Sequence, residues 1–160
     1  MDSKQLVVVL DFGAQYGQLI ARRIRDLQVY SEIVPCDTPA AEIAAMNPSA
    51  IVMSGGPASV YAEDAPSIDP GVLELGVPVL GFCYGHQIMA VTLGGEVGHS
   101  EIGEYGPATI TRAGESELYG ETPEQQTVWM SHRDAVTRVP EGFVVTASTE
   151  VCPVASMAVS

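Results

Sequence analysis

A strand that is apolar at every position leaves no side for water, and Leu6-Val7-Val8-Val9-Leu10 is such a run. It fits a strand buried on both faces, which requires helices above and below its sheet. The next residues supply them. Gln15 to Leu27 carries Leu19, Ile20, Ile24 and Leu27 at helical spacing. Ser31 to Val34 reads as a second strand, and Ala40 to Met46 as a short helix closed by Asn47-Pro48. Ala50 to Met53 reads as a third strand, followed by a loop and a short helical stretch near Val72 to Leu75. A further apolar run, Val77 to Phe82, ends at Cys83 and leads into a helix bearing Ile88, Met89, Val91 and Leu93. Alternation of this kind implies a parallel sheet with helices on both faces. Beyond Gly95 the pattern changes. Glu96 to Val97, Ala108 to Thr111, Thr127 to Met130, Val144 to Ala147 and Val154 to Met157 are short strand candidates, expected to extend the same open sheet.

Ligands of open α/β sheets bind beyond the carboxyl ends of the strands. Asp11-Phe12-Gly13, Ser54-Gly55-Gly56 and Cys83 all follow predicted strands, so they are expected along one edge. Gly81-Phe82-Cys83-Tyr84-Gly85 has the form G-x-C-x-G, the cysteine counterpart of the nucleophile elbow. At an elbow the reactive side chain stands on a tight strand-to-helix turn. The free N–H groups and partial positive charge of a helix N-terminus favour a thiolate, lowering a thiol from about 8.5. Cys83 is therefore the candidate nucleophile. Such a thiolate needs donors for the developing oxyanion. Gly55 and Gly56 permit close backbone approach, and together with the Tyr84 N–H they form a candidate oxyanion hole. No G-K-[ST] follows, so Ser54-Gly55-Gly56-Pro57 is not a phosphate loop.

Composition narrows the partners. Seven basic residues against 20 acidic ones give a net charge of −13, which argues against nucleic acid or an anionic membrane as partner. Met1-Asp2-Ser3-Lys4 lacks a signal peptide's hydrophobic region, and no apolar run has membrane-spanning length, so a cytoplasmic location is expected. Cys36, Cys83 and Cys152 are scattered; no disulfide framework and no metal site is readable from their spacing.

The motifs, taken in order, resemble the class I glutamine amidotransferase domains. The matching segments include Val9 to Tyr16, Gln18 to Arg25, Val29 to Glu32, Ser54 to Val60, Gly76 to Gly85, Glu104-Tyr105-Gly106 and Val128 to His132. Asp11-Phe12-Gly13 and Trp129-Met130-Ser131-His132 set the chain apart from the carbamoyl-phosphate and anthranilate relatives, on the GMP-forming branch. The resemblance implies an open, mostly parallel, flavodoxin-like sheet flanked by helices with additional C-terminal strands. It implies that Cys83 attacks the side-chain amide of glutamine, with Gly55, Gly56 and Tyr84 holding the oxyanion and Gln87, Ser131 and His132 contacting the substrate. Ammonia would pass to an ATP-pyrophosphatase (synthetase) domain that aminates XMP. ATP and Mg would act there, with no cofactor in this domain. The family's general base and its carboxylate sit in a late His-Pro-Glu segment, which the 160 residues do not contain. Residues 1–160 are accordingly read as one amidotransferase domain, incomplete at its C-terminal end and impaired in activity. Two positions depart from the family pattern: Arg133 stands where glycine is usual, and Gly103 where arginine is common.

The remaining candidates receive structural readings. His99-Ser100-Glu101 spells His-x-Glu but is expected in a surface loop, and His86 as a cap or supporting side chain. Asp11 is expected to anchor loops beside the site, and Trp129 to belong to a core or interface. Two other functions stay open: a different cysteine hydrolase on a similar elbow, of the DJ-1/PfpI type, and a catalytically inactive α/β module that contacts a synthetase partner.

Overall fold

A computed structural model describes residues 5–160; Met1 to Lys4 lie outside them. The chain forms two compact units, one ending at Met89 and the other running from Ala90 to Ser160.

In the first unit, strands β1 (Leu6–Asp11), β2 (Tyr30–Pro35), β3 (Ala50–Met53) and β4 (Val79–Gly81) form one sheet in the order β2-β1-β3-β4. All three pairings are parallel. Successive residues of a strand point to opposite faces. Val9 and Val52 pack on one face with Ala21 of helix α1 (Tyr16–Asp26), joined by Val7, Ile20, Ile24, Ile33 and Leu80. The alternate residues Val8, Leu10, Ile51 and Met53 are fully buried on the other face. The continuous apolar run of β1 thus has the double-sided burial it needs. The buried stripe of α1 differs from the expected one. Leu19 is 45% and Leu27 77% exposed, while Gly17, Ile20, Ala21 and Ile24 face the sheet. Both sets have helical spacing, and the approach of Gly17 to the Asp11 carboxylate accompanies the rotation that was realised.

Helix α2 (Ala40–Ala45) ends at Met46, and Asn47 takes a left-handed φ of 52° before Pro48. The stretch at Pro70–Glu74 is a 3-10 turn rather than an α-helix. Asp69 links the two, accepting from the Ala40 N–H at 2.8 Å and the Gly71 N–H at 2.9 Å. Helix α3 (Tyr84–Thr92) follows β4, and the boundary between the units falls within it.

The later strands do not extend the first sheet. Strands β5 (Glu96–Arg112), β6 (Gln125–Arg138), β7 (Phe143–Ser148) and β8 (Ser156–Val159) form their own antiparallel sheet, in the order β6-β5-β7-β8. The expected short strands at Glu96 and Ala108 are two ends of one 17-residue strand. Register shifts against β6 interrupt it between Glu96 and Val97 and between His99 and Glu104. His99-Ser100-Glu101 therefore lies in β5 rather than in a loop, with His99 Nδ1 2.8 Å from Asp134 Oδ1. Among the described residues, no helix is long and apolar enough to cross a membrane.

Candidate active site

The parallel sheet delivers three loops from the carboxyl ends of adjacent strands, as expected. Asp11 ends β1, Ser54 follows β3, and Cys83 follows β4. Asp11 anchors its own loop, its Oδ1 accepting from the Gly13 N–H at 2.9 Å. Ser54 joins the first two loops. Its hydroxyl, fully buried, accepts from the Phe12 N–H at 3.2 Å and donates to the Gly55 carbonyl at 3.1 Å.

Cys83 has φ +48°, a left-handed backbone that costs a non-glycine residue about 1–3 kcal/mol. The flanking bonds hold it there. Phe82 N–H donates to the Met53 carbonyl at 2.9 Å, and Gly85 N–H lies 2.8 Å from the Phe82 carbonyl and 3.1 Å from that of Ser54. The motif's glycines are required by space. A Cβ at Gly81 would stand 2.7 Å from the Gly85 carbonyl carbon, and one at Gly85 would press on Met53. Helix α3 can therefore start directly against the end of β3.

The sequence-predicted oxyanion residues gather around this turn. A Cβ at Gly55 would lie 3.4 Å from Cys83 Cβ and 4.0 Å from Sγ, so the Gly55 backbone borders the nucleophile's side chain. Gly56 fits beneath Phe12, whose carbonyl oxygen would be 2.7 Å from an added Cβ. Tyr84 opens α3, where no preceding helical turn takes up its N–H. Its ring is buried, packs 5.2 Å from Phe12 between centroids, and donates its hydroxyl to the Pro66 carbonyl at 2.5 Å. Gln87 lies one turn into α3 and is 7% exposed, its N–H donating to the Cys83 carbonyl at 3.0 Å.

Cys83 as a residue is exposed, yet desolvation by the protein around its sulfur pushes the thiol above its ordinary value. This differs from the expected lowering. Burial of the sulfur is the cause, and it favours the neutral thiol over the thiolate. Burial also raises Cys36, which is half-buried, with the charge of Asp37 adding to it.

Ser131 and His132 belong to the second unit, on β6, and their side chains leave opposite faces of the strand. Ser131 is exposed beside Trp129, which at 74% exposure is no core residue. It is paired with Tyr105, itself 70% exposed. His132 points inward, its Nε2 2.9 Å from Glu104 Oε2 and its Nδ1 3.1 Å from the Asp134 carbonyl. The two departures fit their places: Arg133 is exposed, and the Tyr105 ring packs where a Cβ at Gly103 would be, 2.6 Å away. Sequence reasoning missed Ser54 as the buried pivot and gave Glu104 no role. A serine before two glycines carries no signal of burial.

The family model for "Glutamine amidotransferase class-I" matches residues 8–159. A glutamine-hydrolyzing GMP synthase of Streptomyces avermitilis is 59% identical over 152 residues, covering 94% of this chain and 29% of that protein. That of Oleidesulfovibrio alaskensis is 57% identical over 160 residues, covering 99% of this chain and 31% of that protein. The chain thus spans about a third of the length of these relatives. Among solved structures, a glutamine amidotransferase of Thermotoga maritima superposes with a TM-score of 0.78 at 20% identity, covering 98% of this chain and 72% of that one, and so shares its fold.

Proposed function

The chain belongs to the class I glutamine amidotransferase family, and from this we propose that it is the glutamine-hydrolysing domain of a GMP synthase. The single observation that carries the chemistry is the elbow: Cys83 at φ +48°, fixed between two glycines and bordered by the Gly55 backbone. The Cys83 sulfur attacks the side-chain amide carbon of glutamine, and the carbonyl oxygen becomes an oxyanion. The N–H groups of Gly55, Gly56 and Tyr84 receive it; Gly85 cannot, because its N–H faces the Phe82 and Ser54 carbonyls. Collapse expels ammonia, which takes up the proton given up by the thiol, and leaves a glutamyl thioester. Water hydrolyses the thioester to glutamate and restores the thiol.

The raised thiol makes a base necessary, and general bases contribute roughly 10²–10⁴-fold. By resemblance that base belongs to a His-Pro-Glu segment, a tripeptide absent from residues 1–160. Residues 1–160 alone are expected to turn over slowly while keeping the nucleophile and its donors. By resemblance Gln87, Ser131 and His132 contact the substrate; Gln87 is buried, Ser131 exposed and His132 half-buried. Ammonia would feed an ATP-pyrophosphatase domain that aminates XMP to GMP in the cytoplasm. ATP and Mg act in that domain, and neither nucleic acid nor membrane is a partner.

The test is peptide mass spectrometry after treatment with a chloroketone analogue of glutamine. Cys83 is expected to be modified before Cys36 and Cys152, and excess glutamine to protect it. Equal labelling of the three cysteines, or labelling of Cys83 that glutamine leaves unchanged, overturns the reading.

A further inference from the structure

The second unit holds a cluster that shares only His132 with the residues expected to meet glutamine. Glu104 of β5, His132 of β6 and Cys152 of the β7–β8 connection each offer a ligand atom, and these atoms lie within 4.8 Å of one another. The side chains of His132 and Glu104 are 15% and 11% exposed, and Cys152 is 4% exposed. We propose that these three residues bind one divalent cation of the zinc type. This goes beyond the glutaminase reading and does not depend on it, since it involves neither Cys83 nor its oxyanion donors.

The surroundings orient all three groups. The carbonyl of Asp134 can only accept, so His132 Nδ1 carries a hydrogen toward it and Nε2 is the nitrogen turned to Glu104. Nε2 and Glu104 Oε2 face one another 2.9 Å apart, and a cation can take the place between them. The other carboxylate oxygen accepts from the Thr149 hydroxyl at 2.7 Å. The same Thr149 oxygen accepts from the Cys152 N–H at 2.9 Å and the Val151 N–H at 3.3 Å, which fixes the loop that presents the thiol. A carbonyl behind a histidine ligand and a hydroxyl behind a carboxylate ligand are the outer contacts that metal centres use.

The donor set selects the ion. A thiolate, an imidazole and a carboxylate suit zinc, whose bonds to them are about 2.0–2.3 Å, whereas calcium and magnesium take oxygen. Tetrahedral bonds of that length set ligand atoms roughly 3.3–3.6 Å apart, so the His132–Glu104 pair, at 2.9 Å, would open slightly and separations up to 4.8 Å would close by about 1 Å to seat the ion. As the metal–sulfur, metal–nitrogen and metal–oxygen bonds form, the Cys152 thiol proton leaves to solvent, and the imidazole and carboxylate bind in their deprotonated forms. Three protein ligands leave the fourth position to water.

Cobalt(II) titration of the metal-stripped, reduced 160-residue chain tests this. A thiolate-to-cobalt charge-transfer band and four-coordinate d–d bands are expected to saturate at one equivalent and to vanish when one equivalent of zinc is added. Cys152→Ser should lose the charge-transfer band, Glu104→Gln should weaken binding about tenfold or more, and Cys36→Ser and Cys83→Ser should keep both. No charge-transfer band at one equivalent overturns the proposal, as does a band that survives Cys152→Ser. If Cys152→Ser does not fold, Glu104→Gln decides: unchanged affinity in a chain with parental circular dichroism overturns it.

Discussion

Gly85→Ala is the sharpest test of how the elbow is built. An alanine Cβ there would stand 2.7 Å from Met53 Cβ and 2.8 Å from its carbonyl carbon, with the carbonyl oxygen closer still. Ordinary contact begins near 3.4 Å, a shortfall of 0.7 Å or more. Met53 cannot yield: it is fully buried, and β3 lies between β1 and β4. The first turn of α3 must move, and the Gly85 bond to Ser54 moves with it. Forcing a methyl into packed structure costs about 1–3 kcal/mol, and a clash against backbone belongs at the upper end. For a chain of this size about 3 kcal/mol lowers the thermal midpoint by roughly 6–12 °C. A displacement approaching 1 Å at the nucleophile costs up to about 10²-fold in rate, read as labelling of Cys83 by the glutamine analogue. Gly76→Ala is the control. Gly76 has φ +73° and open space around it, so alanine there meets strain without a clash. Thermal melts by circular dichroism compare the two. A Gly85→Ala chain that melts no lower than Gly76→Ala, with unchanged labelling of Cys83, refutes the steric account.

The other predictions follow from the same bonds and shifts. Ser54→Ala leaves the buried Phe12 N–H and Gly55 carbonyl without the hydroxyl that serves both, at about 1–3 kcal/mol for each group left unsatisfied; urea unfolding should show the loss, and glutamine-analogue labelling of Cys83 should slow. Because desolvation raises the Cys83 thiol, its alkylation by iodoacetamide should still be climbing at a pH where a free thiol of about 8.5 has levelled off; a plateau at lower pH would contradict the burial of the sulfur. Asp69 is held below its ordinary range by the Ala40 and Gly71 N–H groups, so its contribution is complete above the unfolded carboxylate value and fades as pH falls through the lower folded one. Asp69→Asn should therefore reduce the difference in melting midpoint between neutral and acidic solution, and an unchanged difference would count against the two bonds.

Much of the first unit was legible because its determinants are local. The apolar run of β1, the left-handed stop at Asn47 and the elbow glycines each act over a few residues. The rotation of α1 was not, since Leu19 and Leu27 keep helical spacing with the buried stripe and only the sheet beneath selects between them. The upward direction of the Cys83 thiol was hidden for a related reason: a helix start is visible in sequence, and the atoms that desolvate a sulfur are not.

Sequence by itself determined the alternation of strands and helices, the elbow with Cys83 at its apex, and the family. Tertiary structure alone decided the second sheet and what its residues face. Between the His99–Asp134 and Glu104–His132 pairs, β5 advances five residues while β6 retreats two, so three extra residues enter β5. An odd insertion reverses which face the following side chains occupy. That irregularity leaves Glu104 facing His132, and Ser131 facing solvent beside Tyr105 and Trp129. Cys152 reaches the same pair through the turn clamped by Thr149, 20 residues further along the chain than His132. Such contacts depend on register between distant strands, which is fixed by the sum of cross-strand packing and is written in no single segment.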